Sequence, residues 1–510
     1  MMKPVRTTTL LSAGLAFLSL GMFAAWAADE LRTWTSADGQ HTTQAALLGF
    51  KDGKVQLRKA DGKQISVPSS ALSAEDREFV QAELQRRKQA AGGSATAKKP
   101  ASRATGASAA GPWPRWRGPN LDAKCAETGL LQQWPEDGPP LAWQVEGLGT
   151  GYAGVSVVDG KIFTMGRKDG TEHLIALKAS DGSPLWSTPI GRGSNQRGSN
   201  CTPTVDDDLV YGISIEGDLI CARTDNGETV WRKNFAQDFG GKMMSGWGFS
   251  ESPLVDGNLL VCSPGGPQAA LAALDKNTGK PVWTTEMPDG GSHGGDGAGY
   301  SSIVISQGAG VKQYVQLMGR GVIGVAADSG QLLWRYDRIA NGTANIPTPI
   351  VSGDYVFCST GYGTGAALLK LTRSGRGVQA DEQYFLDADK LQNHHGGMVL
   401  LDGYIYCGHR HNEGFPICVE MKTGQIRWGG DQRGAGSGSA AVLYADGNLY
   451  FRYQNGTMAL IEATPERYNL KSSFKLASVR AESWPHPVIA DGKLLLRDQE
   501  VLMCYDIKAP

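Results

Sequence analysis

The sequence predicts an all-β protein in which a small N-terminal β-barrel precedes an eight-bladed β-propeller. Gly accounts for 68 of the 510 residues, about 13% of the chain, where roughly 7% is usual. Charged residues make up 20% of the chain, below the usual ~25%. Short apolar runs separated by Asp-Gly and Thr-Gly turns repeat along the C-terminal part of the chain. Such a composition and repeat are typical of a β protein with many tight turns.

The first 27 residues have the pattern of a secretory signal. Lys3 and Arg6 provide the positive start, Leu10 to Phe23 the apolar stretch, and Ala25-Trp26-Ala27 an A-x-A cleavage site. We expect cleavage after Ala27 and export to the periplasm or the medium. No later segment is apolar enough for an integral membrane span, which needs about 20 residues. The formal net charge of −1 argues against nucleic acid as the main partner.

Residues 28–83 are predicted to form a small barrel, in which Asp38-Gly39, Asp52-Gly53 and Asp61-Gly62 separate short runs of alternating apolar residues. A helix with Ser73 as N-cap is expected to follow. The sequence RTWTSADG from Arg32, followed by K-V-x-L-x-K-x-D-G-K-x-I-x-V-P from Lys54, resembles the Sla-type homology domain. The resemblance implies an SH3-like module that binds peptides.

Residues 84–112 are predicted to be a disordered basic linker. The stretch is rich in Ala, Gly and Ser and has no periodicity. Two interpretations of its basic residues stay open, a solvated tether and a contact with an anionic envelope surface. The propeller is predicted over residues 113–510.

The repeat count predicts eight blades. The first turn of each unit falls near Asp159, Asp207, Asp256, Gln307, Gly353, Asp402, Asp446 and Asp491, at spacings of 44–51 residues. Four short strands in about 47 residues are the signature of a propeller blade. The last repeat lacks its outer strand, and an orphan strand around Trp143 precedes the first repeat. We therefore expect Leu141–Val145 to complete the last blade and close the ring.

A Trp residue ends most of the units, and we expect each of these side chains to pack against the neighbouring blade. The clearest copy of the unit, from Ala273 to Trp283, reads ALDKNTGKPVW. This A-x-D-x-x-T-G-x-x-x-W pattern is similar to the repeats of pyrroloquinoline-quinone (PQQ) alcohol dehydrogenases and of BamB-type outer-membrane assembly propellers. The resemblance implies a propeller but leaves its function open, because the fold serves both enzymes and scaffolds.

The candidate site lies on the propeller face that carries the long loops. His394 and His395 precede the first strand of one blade, and His409 and His411 follow its second strand, so both pairs are expected at that face. Three interpretations stay open: a transition-metal site using His395, His409 and His411, a polar ligand-binding rim, and hydrogen bonding within the loops. The other candidate ligand-binding residues are Asn345, Trp247, Arg320, Tyr362 and Trp484.

The resemblance to PQQ alcohol dehydrogenases implies PQQ with calcium, held near a disulfide of adjacent cysteines and an acidic residue set. This chain has no Cys-Cys pair and no convincing acidic set, although Cys407 and Cys418 flank one hairpin and would be placed to form a disulfide. The favoured interpretation is an exported binding or scaffold protein that recognises a cell-envelope protein or peptide, or a small-molecule ligand. The alternatives are a PQQ-dependent dehydrogenase and a metal-dependent enzyme using the His cluster.

Overall fold

The computed structural model describes residues 32–80, apart from 39, 52–53, 60–62, 74 and 78, and residues 111–510, apart from 194–197, 289 and 376. The predicted signal sequence and nearly all of the predicted linker lie outside these residues. The chain divides into two compact units, Met1–Thr105 and Gly106–Pro510. In the described part of the chain, no helix is long and apolar enough to cross a membrane.

The N-terminal unit contains a four-stranded antiparallel sheet whose strands follow sequence order. The strands are Arg32–Thr35, Thr42–Lys51, Lys54–Lys59 and Gln64–Pro68, and a 3-10 turn covers Ser69–Ala71. Alternation along the third strand buries Val55 and Leu57, which pack with Trp34 in the core of this unit. The predicted N-cap forms, because Ser73 Oγ accepts a hydrogen bond from the backbone N–H of Asp76 at 3.2 Å.

The C-terminal unit contains eight further sheets, each with four antiparallel strands that form one blade of the propeller, and Lys124–Cys125 adds a short parallel strand to one of them. Among the four strands of every blade, strand a is the innermost and strand d the outermost. Blade 1 consists, from a to d, of Ser156–Val158, Lys161–Lys168, Thr171–Lys178 and Pro184–Arg192; blade 2 of Thr204–Asp206, Leu209–Ile213, Asp218–Arg223 and Thr229–Asn234; blade 3 of Leu254–Asp256, Leu259–Cys262, Leu271–Asp275 and Pro281–Thr285; blade 4 of Val304–Ser306, Gln313–Met318, Gly321–Ala326 and Leu332–Tyr336.

The other four blades repeat this arrangement. Blade 5 consists of Ile350–Ser352, Tyr355–Thr360, Gly365–Ser374 and Gly377–Asp387; blade 6 of Met398–Leu401, Tyr404–His409, Phe415–Glu420 and Ile426–Gly429; blade 7 of Ala440–Ala445, Asn448–Tyr453, Thr457–Glu462 and Leu470–Lys475; blade 8 of Val488–Ala490, Lys493–Asp498, Val501–Asp506 and Leu141–Val145. A short helix over Phe235–Phe239 follows blade 2, and a 3-10 turn over Gly308–Gly310 lies in blade 4. All eight predicted first turns lie between strands a and b.

The predicted ring closure is confirmed. Leu141–Val145 pairs antiparallel with Val501–Asp506, with Trp143 opposite Cys504. Blades 8 and 1 then share one hydrophobic core, and Arg497 of blade 8 donates a hydrogen bond to Thr164 of blade 1 at 2.5 Å. The sheet that would otherwise end in an unpaired edge is completed from the other end of the domain.

The outer-strand Trp residues pack on a glycine in the next blade. Four such pairs are Trp143 with Gly182, Trp186 with Gly227, Trp231 with Gly279 and Trp283 with Gly330. Each of these glycines ends the turn between strands c and d with φ between 68° and 75°, and a Cβ there would lie 2.5–2.8 Å from the indole. The T-G-x-x-x-W motif therefore encodes both parts of the contact. The glycine permits the turn and exposes a flat surface for the neighbouring ring.

The segment over residues 113–125, which we call the axial segment, crosses the centre of the ring. Trp113 pairs with Val157 of blade 1, Arg115 Nη1 donates to Val255 O of blade 3 at 2.9 Å, and Lys124–Cys125 pairs in parallel with the inner strand of blade 7. These contacts reach inner strands on several sides of the channel, so the segment closes the channel partway along its length. Arg117, Leu121 and Ala123 adopt positive φ of 56–61°.

The Cys407–Cys418 disulfide that the sequence left open does not form in this structure. The backbone register places Cys407 opposite Ile417, and Tyr406 opposite Cys418. Because successive side chains of a strand point to opposite faces, the two sulfurs lie on opposite faces of blade 6 and belong to different hydrophobic cores. All eight cysteines are buried free thiols, as predicted for most of them.

Candidate functional site

A cavity of about 380 Å³ lies at the propeller axis, on the face formed by the connections between blades. The connections that precede blades 1 to 6 and blade 8 all contribute lining residues, among them Tyr152, Trp247 and Trp484, and Tyr362 lines the cavity from the loop between strands b and c of blade 5. Trp116 and Arg117 of the axial segment line the inner end of the cavity. The propeller thus brings together residues that are far apart in the sequence, and the axial segment turns an open channel into a closed site.

Hydroxyl groups fix the wall of the cavity by linking neighbouring blades at equivalent positions. In each link the backbone N–H of one residue donates to the side-chain hydroxyl of the equivalent residue in the next blade. Gly154 donates to Thr202 Oγ1 at 3.1 Å, and Thr202 donates to Ser252 Oγ at 3.0 Å. Ser252 donates to Ser302 Oγ at 3.0 Å, and Ser302 donates to Thr348 Oγ1 at 3.3 Å. Ser252, Ser302 and Thr348 also line the cavity. A rim held by side chains in this way is largely formed before a ligand arrives.

Three of the four predicted histidines form a stacked cluster on the cavity wall. The ring centroids of His394 and His395 lie 3.6 Å apart, and those of His394 and His411 lie 4.1 Å apart. Both ring nitrogens of His394 are hydrogen-bonded, Nδ1 to Ser439 Oγ at 2.7 Å and Nε2 to Tyr362 Oη at 3.1 Å. These two bonds fix the orientation of His394, and the rings of His395 and His411 pack against it.

The wall continues as a belt of aromatic rings. Trp484 lies between His395, at a centroid distance of 4.3 Å, and Tyr152, at 4.6 Å. Deeper in the cavity, Trp116 packs against His486 at 4.5 Å, and His486 Nε2 lies 3.2 Å from the backbone oxygen of His395. The rings present apolar faces and polar edges side by side, which suits a ligand that is itself amphipathic.

The imidazoles of the wall are neutral near pH 7. Burial lowers the pKa of His394 to about 3, with a further contribution from His411. Burial also lowers the pKa of His486 to about 3, and the nearby Arg117 charge adds to the effect. The pKa of His395 lies well below its usual value because of burial and the adjacent His394. A neutral imidazole can donate one hydrogen bond and accept another, so these rings can bind hydroxyl groups.

Three predicted site residues lie away from the cavity lining. His409 is the last residue of its strand, is buried, and accepts a hydrogen bond at Nδ1 from the backbone N–H of Gln392 at 3.2 Å. Asn345 is fully buried and donates to the backbone oxygens of Met318 and Gly319 at 3.0 Å each. Arg320 pairs with Asp296 outside the cavity. These contacts assign all three residues to loop structure.

The proposed metal and quinone sites find no support in the side chains of the cavity. In residues 32–80 and 111–510, as far as the structure describes them, no group of three or more His, Cys, Asp or Glu side chains is arranged to hold a metal ion, including His395, His409 and His411. Glu482 is the single carboxylate among the residues that line the cavity, and it accepts a hydrogen bond from Tyr152 Oη at 3.0 Å. Calcium takes six to eight oxygen ligands. PQQ with calcium therefore does not fit this donor set.

The part that the axial segment plays in the site was not predicted from the sequence. Arg117 is 4% exposed, and its Nη1 has no hydrogen-bond partner. His395 Nδ1 and His411 Nδ1 are also buried without a partner. The signal in the sequence was the run WPRWRGPN from Trp113, which places two Trp and two Arg outside the repeat. Buried polar atoms are normally satisfied, so three unpartnered nitrogens in residues lining one cavity indicate a site for a polar ligand.

Comparison with known proteins agrees with this architecture. Residues 191–430 match the family model described as "Outer membrane protein assembly factor BamB", and residues 25–88 match the model of SLA1 homology domain 1. The chain combines a BamB-like propeller of PQQ-like repeats with an SLA1 homology domain 1. Both resemblances recognised in the sequence are thereby confirmed.

The curated relatives align over short stretches. BamB of Salmonella typhimurium is 27% identical over 107 residues, which cover 20% of this chain and 26% of BamB. The actin cytoskeleton-regulatory complex protein sla1 of Schizosaccharomyces pombe is 42% identical over 52 residues, which cover 10% of this chain and 4% of that protein. The chain thus spans about a quarter of the length of BamB and a small fraction of the length of sla1.

Solved structures show the same fold at low identity. A quinohemoprotein alcohol dehydrogenase from Pseudomonas putida HK5 superposes with a TM-score of 0.55 at 15% identity, over 78% of this chain and 81% of that chain. The corresponding enzyme from Comamonas testosteroni gives 0.56 at 12% identity, over 78% and 80%. At these identities the likeness describes the fold alone.

Proposed function

We propose that this is an exported binding protein whose BamB-like propeller binds a saccharide in the axial cavity. The observation that carries the proposal is the wall in which aromatic rings alternate with neutral imidazoles. Aromatic faces pack on the apolar faces of sugar rings, and imidazole, amide and hydroxyl groups bond sugar hydroxyls. The volume of about 380 Å³ lies within the range of small-molecule sites.

Titration of the full chain with glucose, galactose, cellobiose and glucuronate tests the proposal, with tryptophan fluorescence and the thermal unfolding midpoint as readouts. We expect saturable binding of at least one of the four sugars. Trp484→Ala should weaken it by about 10-fold or more, as removal of a central Trp does in other binding sites. Val282→Ala, at a position 56% exposed on the outer strand of blade 3, is the control and should bind like the wild type. The proposal fails if no sugar binds, or if both variants bind equally well.

A second candidate function is the docking of a cell-envelope protein at the same face. It is favoured by the BamB match and by Trp247, a large apolar side chain that is 38% exposed at the cavity. Exposed aromatic residues are enriched in protein interfaces. A photo-crosslinking residue at position 247 should capture an envelope protein in cells, whereas the same residue at position 282 should not. Equal capture at both positions, or none, would contradict docking.

The SLA1 homology domain 1 is proposed to bind a peptide independently of the propeller. Phe79 is 37% exposed, and the Arg32 guanidinium lies 3.7 Å from its ring centroid. An exposed aromatic ring with a cation over one face is suited to contact an extended peptide. Peptides selected from a displayed library against the full chain should lose binding to the Phe79→Ala variant; peptides that bind both proteins equally would place the contact elsewhere.

A further inference from the structure

The guanidinium of Arg117 is a buried cation with part of its hydrogen-bonding capacity unused. Its Nε donates to the backbone oxygen of Leu121 at 3.1 Å, and its Nη2 donates to the backbone oxygen of Met398 at 2.5 Å. Nη1 has no partner, and among the described residues Arg117 has no ion pair; Asp122 acts on its charge only from beyond ion-pairing distance. A buried charge without a directly paired counter-charge is costly, so a fold retains one where a ligand or a function compensates for it.

The two other fully buried arginines of the propeller are compensated within the protein. Arg452 forms an ion pair with Asp498 at 3.4 Å, and its Nη1 and Nη2 donate to backbone oxygens, although its Nε has no partner. Arg497 has no carboxylate partner, but its three guanidinium nitrogens all donate to protein oxygens, with Nη2 bound to Gly149 O at 3.0 Å. Arg117 has neither an ion pair nor a full set of hydrogen bonds, so its environment differs from that of the structural arginines.

The unpartnered nitrogen is a buried atom of a residue that lines the cavity. Arg117 and Gly397 both line the cavity, and a Cβ at Gly397 would lie 2.8 Å from Arg117 Nη1 and 3.1 Å from His486 Cε1. Because Gly397 has no side chain, no Cβ crowds the buried Nη1 or the adjacent imidazole. Arg117 itself has a φ of 61°, a conformation that costs free energy for a residue with a Cβ and is often found at functional sites.

We infer that Arg117 Nη1 binds the carboxylate of an acidic saccharide, a hexuronate, at the inner end of the cavity. The inference rests on the proposed saccharide site and adds the charge of its ligand. A carboxylate carries one negative charge and neutralises one guanidinium. A phosphate would bring almost two negative charges to a cavity whose other charged lining residue is Glu482. In this arrangement the sugar hydroxyls bond His395 Nδ1 and His411 Nδ1, the two other unpartnered nitrogens among the lining residues that the structure describes.

Isothermal titration of the full chain with glucuronate, glucose and glucose 6-phosphate tests the inference. Glucuronate and glucose differ by the carboxylate in place of a CH₂OH group. We expect glucuronate to bind about 10- to 100-fold more tightly than glucose, the range for a hydrogen bond to a charged group. Glucose 6-phosphate should bind more weakly than glucuronate.

Arg117→Met should remove the preference for glucuronate over glucose while leaving glucose binding within a few-fold of the wild type. Arg320→Met, at a surface arginine away from the cavity, is the matched control and should keep the preference. If Arg117→Met fails to fold, Gly397→Ala places a methyl group beside Nη1 and should reduce the preference in the same direction.

The outcomes separate the two proposals. Equal binding of glucose and glucuronate by the wild type would overturn the role of Arg117 and leave saccharide binding intact. Tighter binding of glucose 6-phosphate than of glucuronate would overturn the carboxylate assignment. Absence of binding by all sugars would overturn the saccharide site itself.

Discussion

Replacement of His486 by Gln should make the protein less sensitive to mild acid. His486 lines the inner end of the cavity beside Trp116, and its pKa is lowered to about 3 by burial and by the Arg117 charge. The usual pKa of 6.5 applies to the unfolded chain. A group whose pKa is lowered by folding contributes stability that is fully present above pH 6.5 and is lost progressively as the pH falls toward 3.

The magnitude follows from the difference between the two pKa values. Each pH unit below 6.5 lowers the free energy of unfolding by about 1.36 kcal/mol until the pKa of the folded state is reached. Between about pH 7.5 and about pH 5, protonation of this residue in the unfolded chain therefore lowers the free energy of unfolding by about 2 kcal/mol. Urea unfolding at both pH values measures the loss in free energy. His486→Gln should lose about 2 kcal/mol less than the wild type over this range. His293→Gln, on an exposed loop outside the cavity, should behave like the wild type. An equal loss in wild type and His486→Gln would refute a buried, neutral His486.

Three further results are expected from the blades. Gly279→Ala should lower the free energy of unfolding by about 2–4 kcal/mol, because the methyl group would lie 2.7 Å from the Trp231 ring at a φ of 68°. Gly257→Ala, at a φ of 60° with no neighbouring atom, should lower it by only about 1–2 kcal/mol. Equal losses of the two variants in urea unfolding would contradict the contact. Trp231→Ala should lower the free energy of unfolding by about 3–5 kcal/mol, because the ring is buried. A decrease of less than about 1 kcal/mol would show that the ring is not part of the core. Intact mass without reductant should show eight free thiols, and a disulfide located by peptide mapping between Cys407 and Cys418 would contradict the opposite orientations of these two side chains.

The blades and the ring closure were predictable because their signals are local. A typical unit contains its own Asp-Gly turn, T-G turn and Trp at fixed spacing. Where one copy has lost part of this pattern, as in blade 5, the regular spacing of the other copies still locates its strands. The orphan strand at Trp143 was assigned because one strand was missing at the other end. The position of His394 and His395 followed from the same count, since the segments between blades all reach one face.

The inner part of the site was not predictable in this way. Arg117 acquires its position through a contact with Met398, 281 residues away, and no periodicity marks it. His409 and His411 are two residues apart, yet His409 ends a strand and is buried, while His411 lies in the following turn between Arg410 and Asn412, both with positive φ. Whether a histidine at this place lines the cavity or is buried in the blade depends on the residue at which the strand ends. The spacing of residues in the sequence does not determine that residue.

A crystal structure of the full chain soaked with glucuronate tests the central claim most directly. The account predicts electron density for the sugar in the axial cavity, with its ring beside Trp484 and its carboxylate within hydrogen-bonding distance of Arg117 Nη1. A sugar bound elsewhere, or bound in the cavity with its carboxylate directed away from Arg117, would contradict the account.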